Sequence, residues 1–560
     1  MVVSTPSPGS DRLNQIRLWL ARHPYWTLTL AILVLLGPFL SKPFNIDDPL
    51  FLWAARQIHE HPADPYGFRL EWGWTQFPMW KVTENPPLAC YYVALAAGVL
   101  GWSEASLHFA FLLPALAVAW GTCRLARRLC RQPLLAALAT VFTPVFLVSS
   151  TTVMCDVLML AFWVWTMVFW LEGTETGNPW RLGGAAILMT LAALTKYYGA
   201  CLIPLLAAYS AVSRHRFRLW GACLLLPLAE LCFYQYATQA LYGSSLLYGA
   251  ADYAQFSKGL FGFSFVTTGL TALAFTGGCL AVVVFSTPWL WRTRELAACG
   301  GLAALIAAAG FLDEGLLKNY HSLPAANALL VKIQILFWAA GGICVLALAV
   351  TDFLRHRDAC SLLLALWVLG TFLFAGFVNW TINARSILPI APAVGILLAR
   401  RRDQNDLGGR RARTGTVAAC LAASAVLAFL VAQADFLLAH AVRQCARQIS
   451  ARFESDGTTL FQGHWGFQYY LQDAGALPFD LKLSALKPGS RLIIPTNNTN
   501  VLPLKSEKAE LQETITVPGP WLLTTWNQTT GAGFYSSAWG PLPFAFGDVP
   551  AEGASVYALK

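Results

Sequence analysis

Long apolar runs bounded by charge or proline recur along most of the chain, near 25–40, 106–123, 133–149, 153–171, 182–195, 197–213, 217–238, 263–290, 296–312, 327–352, 360–379, 386–399 and 414–437. Each is roughly 15 to 25 residues, enough to cross or nearly cross a bilayer as a helix. The run 88–100 is equally apolar, but at about 13 residues it suits an interfacial or re-entrant helix better than a full span. Beyond 440 the pattern changes to polar and aromatic residues, a Pro488-Gly489 turn, and β-prone stretches at 491–495 and 513–517. The pattern predicts an all-α polytopic membrane protein with about 13 transmembrane helices. The membrane region covers 1–440, with a first outer loop at 41–105, and a small mixed α/β or β-rich domain covers 441–560.

Composition agrees with this reading. Hydrophobic residues make up 56% of the 560 positions and charged residues 12%, too apolar a balance for a soluble chain of this size. Basic residues exceed acidic ones by 39 to 30, yet the excess clusters in short turns: Arg124, Arg127, Arg128 and Arg131; Arg214, Arg216 and Arg218; Arg400 to Arg402. That is the signature of cytoplasmic turns and not of a nucleic-acid surface. If 88–100 is not counted as a span, all these turns share the side of the N-terminus, which puts the C-terminal region outside. Arg12, Arg17 and Arg22 precede the first run and no small-residue cleavage pattern follows it, so it reads as an uncleaved anchor. The 13 cysteines lie almost wholly in apolar runs, with no disulfide framework or paired metal spacing.

With this topology, ionisable residues from distant parts of the chain meet at the outer membrane surface. Asp47 and Asp48 directly follow the first run, Asp156 opens the fourth, Lys196 sits at a hairpin tip, and Arg385 opens the twelfth. Acids beside apolar surface are functional candidates. Each has an alternative: Asp47 and Asp48 before Pro49 as a helix stop, Asp156 as a cap, Lys196 and Arg385 as snorkelling cations. Lys196 and Arg385 could hold a lipid phosphate at the interface while Asp47 deprotonates an acceptor hydroxyl. His59 and His61 leave a divalent metal open, but no complete ligand set is visible and no metal site is assigned. Trp72, Trp74, Trp80, Tyr91 and Tyr92 suit interface anchoring or sugar stacking.

The acidic pair after the first run, the segment Asn85-Pro-Pro-Leu-Ala-Cys-Tyr-Tyr, the Gly101-Trp-Ser-Glu turn and Arg124-Leu-Ala-Arg-Arg together resemble the GT-C membrane glycosyltransferases. The resemblance is to glycosyltransferase family 39, which includes protein O-mannosyltransferases and the lipid A aminoarabinose transferase. It continues through Cys155-Asp156, Leu194-Thr-Lys-Tyr-Tyr-Gly and Arg385-Ser-Ile-Leu-Pro, covering about 1–400. It implies a GT-C fold and inverting transfer of a sugar from a polyprenyl-phosphate donor to an extracytoplasmic acceptor, lipid, glycan or protein. It makes Asp47 the base, with Asp48 where Glu is usual, Asp156 a second acid, and Lys196 the lysine at the lipid phosphate. Glu84, Asn85, Tyr197 and Tyr198 become substrate-binding candidates, Asn85 standing where Lys or His is common. The segment Gly463-His-Trp-Gly-Phe-Gln-Tyr-Tyr is similar to periplasmic modules of bacterial relatives, which implies a bacterial inner membrane; the arginine-rich turns make the N-terminus cytoplasmic. A transporter or flippase of lipid-linked or small polar solutes would also gather charges in a bundle, but near mid-membrane and with internal repeats, which are not seen here. A membrane scaffold presenting its tail to partners requires only that Asp47 be dispensable.

Overall fold

The computed structural model describes residues 20–560 apart from 21, 84, 214–216, 262–263, 313–316, 318–319, 321–322, 410–411, 454–458, 483, 485–487 and 505–508. Among the described residues, six helices are long and apolar enough to cross a membrane: Glu104–Leu129, Cys155–Thr176, Thr293–Phe311, Ala325–His356, Ala359–Val378 and Thr414–Arg452. Two more apolar segments are bent in the middle, Pro133–Val141 with Pro144–Ser150 by 64° and Phe265–Cys279 with Ala281–Leu290 by 78°. The first bend follows from Pro144, which cannot continue a helix, and from Thr143, whose side chain accepts the Phe146 N–H and starts a new one.

Length and composition therefore support six to eight spans, where about 13 were expected. Part of the difference lies in runs that fold as shorter pieces, although the run at 217–238 lies in the 26-residue helix Phe217–Tyr242. Pro24–Leu36 has 13 residues, roughly 20 Å of helix against a hydrocarbon core of about 30 Å. It continues only as a 3-10 turn through Pro38. Leu202–Val212 has 11 residues. The run near 386–399 opens as a four-residue helix and a 3-10 turn at Pro389 before Ala391–Leu407 begins. Leu88–Leu100 is a separate 13-residue helix ended by Gly101 at φ 90°.

Small residues let the helices touch. A Cβ at Gly277 would lie 1.9 Å from the Trp338 carbonyl oxygen, and one at Gly342 2.2 Å from that of Leu273. Helices Phe265–Cys279 and Ala325–His356 therefore approach to backbone contact there. Large apolar side chains such as Leu95, Leu305 and Leu329 stay exposed around the outside, the face a bilayer covers.

Charges separate along the helices. In Cys155–Thr176, Asp156 lies in the first turn, while Glu172, about 24 Å further along at 1.5 Å per residue, takes hydrogen-bonded ion pairs at 2.9 Å from both Arg124 and Arg181. The Arg131 backbone N–H donates to Asp403 (2.7 Å), next in sequence to Arg400–Arg402, so the turns carrying Arg124–Arg131 and Arg400–Arg402 meet at the end away from Asp156.

The C-terminal region contains strands, as its pattern predicts. Arg491–Pro495 lies at the centre of a five-stranded mixed sheet. It runs parallel to Thr459–Phe461 and antiparallel to Glu552–Leu559, which pairs in turn with Ala509–Val517. The 40-residue helix Thr414–Phe453 runs through position 440 unbroken, and its Ala441, Cys445, Ala446 and Ile449 share a small core with the sheet. Residues nearer 523–545 behave differently. Leu523, Trp526, Phe534, Tyr535 and Phe544 belong to the same apolar core as the membrane helices.

Candidate active site

The segment leaving the first helix is strained where it reaches the acids. Ile46 has φ 51°, a left-handed conformation unfavourable for a β-branched side chain. Asp47 then stands at the N-cap of helix Asp48–Glu60, yet its side chain makes no capping bond. Instead its Oδ2 accepts from Arg385 Nη2 at 2.9 Å. Asp48, one peptide bond away, is wholly buried and accepts the backbone N–H groups of Asn45 (3.1 Å) and Val153 (2.8 Å). Burial pushes the Asp48 carboxyl up to about 7, against the pull of Lys42 and these two donors. Asp47 opens onto a cavity, whereas Asp48 fixes the loop to the start of the Asp156 helix.

Arg385 sits on the four-residue helix Ala384–Ile387, positioned by Asn383, which accepts the Ser386 N–H at 2.8 Å. Its Nη1 meets the Met154 sulfur at 2.9 Å, its guanidinium lies 5.5 Å from the centre of the Tyr535 ring, and its buried Nε has no partner among the described residues. Two residues beyond Met154, Asp156 accepts from Lys196 Nζ at 2.6 Å through one oxygen, while its other oxygen is buried without a partner among the described residues. Lys196 occupies an extended break between helix Pro179–Thr195 and the 3-10 turn Tyr197–Cys201, with its side chain 20% exposed. Two ion pairs, Asp47–Arg385 and Asp156–Lys196, thus stand side by side, joined through Met154.

A cavity of about 560 Å³ opens beside the Asp47–Arg385 pair, and Asp156 and Lys196 are not among its described lining residues. Ile46, Asp47, Phe51, Asn85 and Arg385 line one part of it. The C-terminal region supplies another, including Trp465, Asn500, Trp526, Tyr535 and Trp539. The two parts are fastened together. The Phe44 N–H donates to Tyr470 Oη (2.8 Å), Arg56 to Tyr469 Oη (3.0 Å) and Trp74 Nε1 to the Asn500 carbonyl (2.7 Å). A Cβ at Gly466 would lie 2.4 Å from the Phe44 carbonyl oxygen, so glycine lets helix Trp465–Asp473 seat directly on the loop before Asp47.

The remaining candidates divide. Asn85 lines the cavity, and its Oδ1 faces the Cys155 thiol at 3.7 Å. Tyr198 is buried in the helix core, stacked on Trp163 and donating to Thr371 Oγ1 at 2.5 Å, away from the cavity lining. Tyr197 pairs with Tyr234 through their hydroxyls at 3.4 Å. Glu84 lies outside the described residues. Among the described residues no cluster of three His, Cys, Asp or Glu is arranged to hold a metal, and His61 faces a separate open cleft with Asp64.

The residue-by-residue reading missed a buried node behind the cavity. Lys42 Nζ donates to Asp435 Oδ2 at 2.5 Å and to Thr151 Oγ1 at 3.1 Å. Asp435 also accepts from Thr525 (2.6 Å) and from Tyr535 (2.9 Å), the ring beneath Arg385. The available signal was Asp435 itself, a lone acid inside an apolar run that needs a partner.

Residues 84–237 match the family described as dolichyl-phosphate-mannose-protein mannosyltransferase. No curated protein gives a significant match. Among solved structures, the chain is similar to the Archaeoglobus fulgidus oligosaccharyltransferase tethered with an acceptor peptide, at 12% identity and TM-score 0.46, over 86% of this chain and 70% of that one. It is also similar to ArnT from Cupriavidus metallidurans in the apo state, at 15% identity and TM-score 0.42, over 85% of this chain and 93% of that one. The ArnT structure bound to undecaprenyl phosphate gives 12% identity and TM-score 0.40, over 84% and 92%. The resemblance to the membrane mannosyltransferase family read from the residues is thus met by a family match over 84–237.

Proposed function

We propose that this chain is an inverting, membrane-embedded glycosyltransferase that takes a sugar from a polyprenyl-phosphate donor at the extracytoplasmic face. The observation that carries the reading is the pairing of Asp47 with Arg385 at 2.9 Å on the wall of a 560 Å³ cavity, next to Asp156–Lys196. The family match over 84–237 supports the same class of chemistry. Lys196 uses one of its three ammonium hydrogens on Asp156, and Arg385 has an unused Nε–H. A donor phosphate entering the cavity meets Arg385 on its wall, and Lys196 can join it where the phosphate reaches past that wall. Phosphate bound to Arg385 competes with Asp47 for the guanidinium, which frees the carboxylate as base. Asp47 removes the acceptor hydroxyl proton, the oxygen attacks the anomeric carbon opposite the phosphate, and the C1–O bond breaks. Polyprenyl phosphate leaves as a stable anion, and the configuration at C1 inverts. Tyr197, Asn85 and Glu84 remain substrate-contact candidates on this reading, Asp48 a positioning group, and the division at 440 a boundary between membrane and acceptor-facing regions.

The test is to incubate the purified protein with a panel of polyprenyl-phosphate sugars and follow release of the phosphate lipid by mass spectrometry. Donor-specific release supports the reading. Absence of release across the panel, with or without added acceptors, contradicts it. The transporter alternative predicts movement of intact donor between leaflets with no bond broken.

A further inference from the structure

The cavity has two chemically different parts. The part near the ion pairs is where a phosphate can be held. The part from the C-terminal region is aromatic and neutral: its described lining residues include no Lys, Arg, Asp or Glu. Trp526 and Trp539 stack with ring centres 4.7 Å apart and planes at 8°, and Trp465 meets both edge-on, at 5.3 and 5.8 Å. Trp465 is held at φ 65°, a strained conformation for a large side chain, and such strain clusters at ligand sites. Beside this aromatic group stand Thr499, Asn500, Gln528 and Ser536. The Gln528 carboxamide is partly exposed and makes no hydrogen bond among the described residues, so a donor and an acceptor are available to a ligand.

We infer that this tryptophan wall is the acceptor subsite and that the acceptor is a neutral saccharide. A sugar ring has an apolar C–H face and a polar hydroxyl edge, which matches the partly exposed Trp539 indole, backed by the buried Trp465 and Trp526, next to the Gln528 carboxamide. A polyprenyl tail would leave the Gln528 carboxamide without a partner, whereas Asn500 and Ser536 are already bonded to His464 and Thr381. A peptide that binds by adding a strand needs a free strand edge; the strands here, Trp526–Asn527 and Ala532–Gly533, have two residues each and pair with one another. Naming the ligand an acceptor rests on the transferase reading above; naming it a saccharide rests on the wall.

The experiment is saturation-transfer-difference NMR on the full-length protein in detergent, with short neutral gluco-, manno- and galacto-oligosaccharides as probes. At least one series binds the wild type, Trp539→Ala weakens it tenfold or more, and Gln528→Ala about threefold. Gln528 is partly exposed, so its truncation gives a readout even where loss of the indole disturbs folding. No binding by any series, wild-type binding in both variants, or binding of serine- and threonine-containing peptides in place of sugars overturns the inference. The two readings fail separately. Saccharide binding without phosphate-lipid release from any donor keeps the wall and removes the transferase; release without saccharide binding does the reverse.

Discussion

The two sides of the cavity are built on different principles. On the membrane side, short-range ion pairs fix the geometry: Asp47 to Arg385 and Asp156 to Lys196, each at a helix end where the chain breaks. On the C-terminal side, packing among aromatic rings does so, with Trp465, Trp526 and Trp539 in mutual contact and no charge among the described lining residues. Charges held beside low-dielectric surface are sensitive to loss of a partner, whereas an aromatic wall tolerates small changes. On the proposed reading, single substitutions on the membrane side are expected to abolish chemistry and those on the C-terminal side to retune what is bound. The Lys42–Asp435–Tyr535 node joins the two, since Tyr535 both donates to Asp435 and lies beneath Arg385.

Substitutions can test that contrast. Arg385→Ala removes the partner of Asp47 and the proposed phosphate contact together, and is expected to lower kcat/KM about 100-fold or more; activity within threefold of wild type would erase the distinction between the two sides. Lys42→Met leaves Asp435 buried with hydroxyl partners only and is expected to cost about 3 kcal/mol of stability. The paired change Lys42→Met with Asp435→Leu should recover much of this loss, and chemical denaturation of the three proteins measures it. Lys196→Ala should raise the donor KM about 10-fold with little change toward the acceptor, and unchanged donor kinetics would return Lys196 to a snorkelling role.

The smallest effect concerns Asp48. Its folded-state pKa, about 7, lies above the ordinary 3.8, so the folded protein holds this proton more tightly than the unfolded chain. This contribution to stability is present at low pH and declines as pH rises between those values. Asp48→Asn should flatten that part of the curve of denaturation midpoint against pH, and curves that stay parallel would remove Asp48 as its source.

Much of the membrane side was legible because chemistry there follows from position. An acid after an apolar run, a lysine at a hairpin tip and an arginine opening a helix stand out against apolar surroundings, and the strand at Arg491–Pro495 was visible in its β-prone residues. Adjacent residues were harder to separate. Asp47 and Asp48 share one sequence context, and only the turn through Ile46 decides which faces the cavity and which is buried. Tyr198 read as a substrate contact because it neighbours Lys196, but the 3-10 turn points it into the helix core. The tryptophan wall carried little local signal, because its residues come from segments near 465, 526 and 539 that meet only through tertiary packing. Length and composition do not confirm the count of about 13 spans, because apolar runs interrupted at Pro38 and Pro389 look continuous in hydropathy while folding as separate pieces.

The most direct test of the central claim is single-turnover release of polyprenyl phosphate by wild type and Asp47→Asn, measured by mass spectrometry at saturating donor with donor affinity determined in parallel. The account predicts that the variant folds, binds donor within about threefold of wild type, and releases phosphate lipid at least about 100-fold more slowly. Release at the wild-type rate by a variant that binds donor normally would contradict it.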